Sequence, residues 1–303
     1  MSTTYFPFNR RTTLRISSSA AVAVLGVFAI VPAVAVLVIS FTDIRSLPYL
    51  PVTWVGVENY IAFFSPARWD YNFNALRNTL LFSLATTLLS TALALLIAVL
   101  LNTKLRGTNL YRAVVFMPTV LGVTVIGLIW SLFFNPSAGP AASLWGLFGA
   151  DSAFFGDQRL ALGLVIFVSV WAGLGVAMVI FLTGLQAIPE ELYEVAAIDG
   201  ASAIQTFRFV TVPMLAPSIT ANVLLSIIGS LQSYQLAYVL TGPTNPATQL
   251  LSLAIFSQGF GAGNPGVSQS QGYAASISII QFVIVGVISL LALAYLRKRE
   301  DRL

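Results

Sequence analysis

Six stretches of the chain are apolar almost without interruption: residues 16–41, 78–101, 113–134, 160–184, 213–240 and 274–296. An α-helix needs about 20 mostly apolar residues to cross the hydrocarbon core of a bilayer, and each stretch meets that length. Lys, Arg, Asp and Glu stay at or beyond the edges. Apolar residues run continuously rather than alternating with polar ones, as the strands of a membrane barrel would require. Backbone in lipid is satisfied only within helices or closed barrels. The pattern therefore predicts an all-α integral membrane protein with six transmembrane helices.

Between the stretches lie segments of different character. Residues 42–76 carry Pro48, Pro51, Trp54 and Trp69, and residues 135–159 carry Asn135-Pro136 and Gly139-Pro140. Residues 241–272 include TGPTNPATQ and GFGAGNPGVSQSQG. These are turn-forming compositions, and they predict connecting loops. The organisation is a single membrane domain, 16–296, between a segment 1–15 and a tail 297–303, with no internal repeat. Arg10-Arg11 precedes an apolar run too long for the 7–15 residues of a secretion-signal core, so the first span is read as uncleaved.

Composition agrees with this class. Hydrophobic residues make up 57% of the 303 and charged residues 9%, against about 25% charged in soluble domains. A soluble enzyme and a disordered chain are both excluded. There is no Cys and no His, so thiolate chemistry, disulfides and histidine acid–base or metal chemistry are absent. No metal site or catalytic constellation is evident. The net charge of +4 follows from topology rather than from a nucleic-acid partner. With a cytoplasmic N-terminus, eleven of the fifteen basic residues fall inside and only Arg45, Arg68, Arg77 and Arg159 outside. Basic residues concentrate on the cytoplasmic side of membrane proteins, so both termini are placed there, in the cell membrane of a prokaryote.

The segment 185–217, LQAIPEELYEVAAIDGASAIQTFRFVTVPMLAP, stands apart. Pro189 suits the first position of a helix. Glu190, Glu191 and Glu194 then fall where carboxylates favour the N-terminal end of the helix dipole. Leu192, Val195, Ala196 and Asp199 share a face at helical spacing. Gly200 permits a break, a second short helix follows over about 201–209, and Pro213 starts span 5. This reads as a docking helix on the cytoplasmic side, where small residues let another surface approach.

The spacing Glu194-Val195-Ala196, three residues, Gly200, nine residues, Val210-Thr211-Val212-Pro213 resembles the EAA loop of permease subunits of binding-protein-dependent ABC importers. Ala197-Ile198-Asp199-Gly200-Ala201-Ser202 is similar to the form found in carbohydrate and glycerol-3-phosphate permeases. Ser40-Phe41-Thr42-Asp43, Val55 to Tyr60, Arg77-Asn78-Thr79, Pro118, Trp130 to Asn135, and Tyr238 to Pro243 also resemble that family. The resemblance implies the type I importer permease fold, with a coupling loop at about 185–212. It implies Glu194, Val195, Ala196, Ala197, Asp199, Gly200, Ala201 and Pro213 as coupling residues. It further implies three kinds of partner besides the bilayer: a second homologous permease, two ATPase subunits and an extracytoplasmic substrate-binding protein. ATP and Mg would sit on the ATPase subunits, and this chain would bind no cofactor.

An external energy source fits the residues. A phosphate-cradling loop needs Gly-Lys before Ser or Thr, but the only lysines, Lys104 and Lys298, follow Thr103 and Arg297. The spans lack the intramembrane ionisable groups of proton relays. A sodium-coupled carrier stays open, since carbonyls and hydroxyls can bind sodium; a channel and a membrane enzyme rank below it.

Candidate path residues are polar groups within spans. Gln232, Ser233, Tyr234, Gln235 and Tyr238 cluster in span 5, where Gln232, Gln235 and Tyr238 fall three apart, and Asn222 lies further in. Trp171, Thr183, Ser276, Ser278 and Gln281 are further candidates. Polar side chains in spans also serve as hydrogen-bonding glue between helices, and that alternative stays open. The expected cargo is a sugar or polyol, with a glycerol-phosphate compound as the alternative.

Overall fold

The computed structural model describes residues 19, 22–45, 51–102, 107–148, 152–261 and 270–300. The segment 1–15, Lys104, Arg106 and the last three residues of the tail lie outside the described residues. Four helices are long and apolar enough to cross a membrane, or six if each of two bent pairs is one span.

The first, α1 (Val22–Ile39), has no buried residue. It widens to a π-turn over Gly26–Ile30, one turn before Pro32. A proline inside a helix has no N–H to donate and crowds the carbonyl four residues earlier; a π-turn relieves both. Short α2 (Glu58–Phe63) follows. Both helices pack on the last helix of the chain, α13 (Gln271–Glu300). The tie is reinforced where Gly272 donates to the Ile44 carbonyl at 3.1 Å and Arg45 bridges Ser270. The Thr42 carbonyl oxygen approaches Gly272 so closely that no side chain would fit.

Helix α3 (Pro66–Leu101) has 36 residues, about 54 Å at 1.5 Å per residue. It starts twelve residues before the predicted span at 78, because Pro66 suits a first turn and nothing between 66 and 78 breaks a helix. Arg68, Asp70 and Arg77 mark the limit of apolarity rather than the limit of the helix.

The predicted span 113–134 is two helices, α4 (Thr108–Val120) and α5 (Val123–Phe133), bent by 101°. Pro118 weakens the last turn of α4, and Leu121 and Gly122 are extended. The segment 135–159 is also more than a connector. It holds α6 (Pro140–Gly146) and a single 3₁₀ turn whose Phe154 and Phe155 are buried. Helix α7 (Ala161–Gln186) runs through the centre against α3 and α4.

The predicted span 213–240 is interrupted twice. After α8 (Glu190–Ile198) come α9 (Ala203–Met214) and α10 (Ala216–Leu231), bent by 66°. The chain leaves the helix again at Gln232 and resumes as α11 (Gln235–Thr241). The predicted loop 241–272 contains a further helix, α12 (Leu251–Phe260), with Leu251, Leu253 and Ala254 fully buried. The run LLSLAIF is too short to span, and that length hid it. Three apolar clusters hold the bundle, one of them joining Phe63, Ala75, Leu251, Tyr273 and Ile277; the other two are larger. One gathers Phe82, Val165, Val168, Leu236, Leu240 and Leu250, and the other gathers Ala94, Ala98, Met178, Phe181, Leu185 and Leu215 at the coupling-loop end.

Candidate coupling loop and intramembrane cavity

The segment 189–214 satisfies its own backbone. Pro189 is the cap residue rather than the first helical one, with ψ at 134°, and α8 begins at Glu190. Glu190 and Glu191 occupy the first turn, next to the unpaired N–H groups they favour. The helix ends in a double hydrogen bond: Ala201 N–H to the Ala196 carbonyl at 2.9 Å, and Gly200 N–H to the Ala197 carbonyl at 3.1 Å. This pattern places the residue after the cap in the left-handed region, and Gly200 has φ of +73°. Ser202 then caps α9, accepting from Gln205 N–H while the Gln205 side chain accepts from Ser202 N–H at 2.8 Å.

The expected face Leu192, Val195, Ala196 and Asp199 divides. Ala196 is buried, while Val195 is 55% and Ile198 84% exposed. Tyr193, half-buried against the inner cluster, sets the inward side and hydrogen-bonds the Thr211 hydroxyl at 3.3 Å. Glu194, Ala197 and Asp199 are exposed and Ala201 is half-buried. Pro213 does not begin the long helix. It lies in the last turn of α9, one turn after a π-turn at Phe207–Thr211. This is the arrangement seen at Pro32. The π-turn was not anticipated, although a proline within a helical run is its signal.

Between α3, α7 and α10 lies a cavity of about 320 Å³. Its polar lining comes from Thr86 and Ser90, Ser169, Asn222, Ser226 and Ser230, with Ser233 just past the end of α10; the rest of the wall is apolar. No charged residue lines it among the described residues. Asn222 is buried and donates to the Thr91 hydroxyl at 3.1 Å. Gly173 and Gly229 face the cavity, with open space where a Cβ would project. Gly122 also has open space there, whereas Gly127 and Gly175 are packing contacts, against Val239 and against Phe116 with Thr119.

Of the six leading path residues, the structure brings Asn222 and Ser233 to this cavity and not the others. The break at Gln232 ends the helical face that was to align Gln232, Gln235 and Tyr238. Gln232 and Gln235 are exposed. Tyr234 stacks on Phe256 at 5.1 Å, and Tyr238 meets the same ring edge-on at 5.4 Å. Ser276, Ser278 and Thr183 bond to carbonyls of their own helices. Gln281 reaches across the bundle to the Leu231 carbonyl at 2.9 Å and to Ser252. Trp171 packs edge-on against Trp130 at 5.3 Å. Thr86, Ser90, Ser169, Ser226 and Ser230 were missed. Their signal is the four-residue spacing of Thr86 with Ser90, and of Asn222 with Ser226, which sets each pair on one helix face.

The bundle sets helices of membrane length around an uncharged cavity whose wall is largely apolar and carries a few hydroxyls and one carboxamide. Residues 90–302 match the family described as binding-protein-dependent transport system inner membrane component, and the chain belongs to that family. It is 33% identical over 86% of its length to the multiple sugar-binding transport system permease protein MsmF of Streptococcus mutans, covering 87% of that protein. It is 31% identical over 91% of its length to the trehalose/maltose transport system permease protein MalF of Thermococcus litoralis, covering 90% of it. A chain in the crystal structure of a bacterial ABC transporter that imports the acidic polysaccharide alginate shares the fold. The TM-score is 0.81 with 21% identity, covering 95% of this chain and 96% of that one. The protein is thus an ABC importer permease, a transport component rather than an enzyme.

Proposed function

We propose that this permease forms half of the translocation path for an uncharged sugar or related polyol, and is driven by separate ATPase subunits docked on residues 190–214. The carrying observation is the cavity: hydroxyls and one carboxamide on three helices, with no charge on the wall. Such groups exchange hydrogen bonds with a polyol, whereas a phosphate would favour Arg or Lys. The sugar-transport names of the relatives at 33% and 31% identity support this reading.

In this scheme both termini and the coupling loop are cytoplasmic. Val195 and Ile198 enter an apolar cleft of an ATPase subunit, while Glu194 and Asp199 hold the rim. ATP and Mg sit on the two ATPase chains, and a second permease closes the open flank of the cavity. An extracytoplasmic binding protein delivers the cargo. ATPase closure moves the α8 helices together, and the bend at Leu215 passes that motion to α10, which carries Asn222 and Ser226.

The test is uptake by the complete importer in proteoliposomes, with radiolabelled maltose, trehalose and glycerol-3-phosphate. Uptake of a neutral sugar that requires ATP and binding protein, and falls about tenfold in Ser226→Leu at equal assembly, is the expected result. A hydroxyl left unpaired in a site built for hydrogen bonding costs that much. Uptake driven by a sodium gradient without ATP, or undiminished in the variant, would overturn it.

A further inference from the structure

A second cavity, of about 400 Å³, lies between the first turns of α3 and the segment 243–249. Asp70, Tyr71 and Asn74 line one side; Pro243, Thr244, Pro246 and Gln249 line the other. It shares no lining residue with the intramembrane cavity. Both open on α3, where the twelve residues from Asn74 to Thr86 correspond to about 18 Å.

This cavity is held in shape by amide groups. Asn74 donates its Nδ2 to the Pro246 carbonyl at 2.7 Å, and Asn78 donates to the same carbonyl at 3.1 Å. Gln249, buried, donates its Nε2 to the Tyr71 hydroxyl at 2.7 Å. Asn245 ties the segment to the Phe155 carbonyl at 3.1 Å. The bonds of Asn74 and Gln249 each use one amide N–H and leave the other N–H and the oxygen. The open inventory is the Asp70 carboxylate, Oδ1 of Asn74 and Oε1 of Gln249 as acceptors. The hydroxyl protons of Tyr71 and Thr244 and the second amide N–H of Asn74 and of Gln249 serve as donors.

Donors and acceptors thus stand side by side around one carboxylate. An anion is disfavoured, since no Lys or Arg lines the wall among the described residues. Calcium takes six to eight oxygen ligands, several usually carboxylates. Here there is one carboxylate, and no group of three or more Asp or Glu side chains is placed to hold a metal ion among the described residues. A sugar fits both halves of the inventory. Its hydroxyls donate to the carboxylate and amide oxygens and accept from Tyr71 and Thr244. Its C–H faces lie on Pro243, Pro246 and the Tyr71 ring. The volume falls in the range of small-ligand sites.

We propose that this vestibule is a second binding site for an uncharged sugar, one that catches cargo before it reaches the intramembrane cavity. The inference rests on the sugar-import reading above. Its consequence is a commitment step: cargo held here is less free to escape during a turnover.

The experiment measures sugar imported per ATP hydrolysed by the complete importer in proteoliposomes, with radiolabelled maltose and trehalose as probes. Asp70→Ala and Thr244→Val each remove a lining group that anchors no part of the wall. The expected result is a fall of about threefold or more in sugar per ATP, as for the loss of one hydrogen bond. ATPase rate and binding-protein affinity stay unchanged, and Asp70→Asn, which keeps an acceptor, recovers most of the ratio. An unchanged ratio in both alanine and valine variants overturns the site. So does a fall matched by weaker binding-protein affinity, which would make the vestibule a docking surface. If the unmodified importer carries neither sugar under ATP, the sugar-import reading fails first, and this site falls with it.

Discussion

Residues 189–214 close their backbone hydrogen bonds within their own segment, whereas residues 231–260 depend on atoms from distant helices. In the first region, Gly200 and Ala201 cap α8, and Ser202 with Gln205 caps α9. In the second, the carbonyl at the end of α10, Leu231, accepts from Gln281, fifty residues on. The start of α12 is set by Thr79, whose hydroxyl accepts from Leu251 N–H at 2.8 Å. Asn78 likewise donates to the Pro246 and Ala247 carbonyls at 3.1 Å. A locally closed segment can move as a unit. A segment closed from a distance is fixed in place by the bundle, and suits a wall.

The sharpest break of this comparison uses two glycines on α7. At Gly175 a Cβ would meet the Phe116 Cα at 2.7 Å, which is backbone and cannot swing aside. Gly175→Leu is expected to destabilise the bundle by about 3 kcal/mol, at the upper end of overpacking costs, read as lost thermal stability in detergent. Gly173→Leu, two residues away, projects into open space on the cavity. It should keep the melting temperature and lose uptake. Equal stability losses in the two would erase the distinction between packing and path.

Gly200→Val tests the locally closed region. Its Cβ meets nothing, so the whole effect is the φ of +73°, about 1–2 kcal/mol for an ordinary residue and more for a β-branched one. The expected outcome is weaker recovery of the ATPase subunits on purification, with the bundle's own melting temperature within a degree or two. A large drop in melting temperature would show that the loop is part of the bundle's stability after all.

The smallest effect is one of pH, at Asp43. This carboxylate accepts from Thr53 N–H at 2.6 Å, and the backbone and side-chain hydrogen bonds from Thr53 hold it below the ordinary carboxylate range. The sign is that of a depressed acid. The bond is fully present above the ordinary aspartate value and is lost as pH falls through the lower, folded value. Hydrogen exchange at Thr53 should therefore accelerate only under acid conditions, and Asp43→Asn should remove that acid dependence.

The same division explains what the sequence made readable. The loop with Glu194, Gly200 and Pro213 was legible because caps, glycine and spacing are local. Apolar length revealed four straight helices and the neighbourhood of both bent ones. The bends at Leu121-Gly122 and Leu215 were less visible, because a proline signals weakness in a helix without stating the angle. The break at Gln232 and the helix Leu251–Phe260 depend on Gln281, Asn78 and Thr79, which no window around residue 240 contains. That is why Gln232, Tyr234, Gln235 and Tyr238, grouped by helical spacing, do not share one continuous helix face and do not line the cavity between α3, α7 and α10. The hydroxyls of Thr86 and Ser90 were in plain view, but only the partner helices show which face of α3 is enclosed.

The docking of the first helix on the last has a consequence for biogenesis. Val22–Ile39 buries nothing of its own, and its neighbour across the Arg45–Ser270 bridge is some 225 residues further along the chain. A ribosome adds about 5–20 residues each second, so the leading segment waits for about 10–45 s with no partner but lipid. Its unbroken apolarity lets it wait there without exposing a polar group. The helix Val22–Ile39 thus enters the membrane long before its packing partner is made, and is locked only once α13 has followed it.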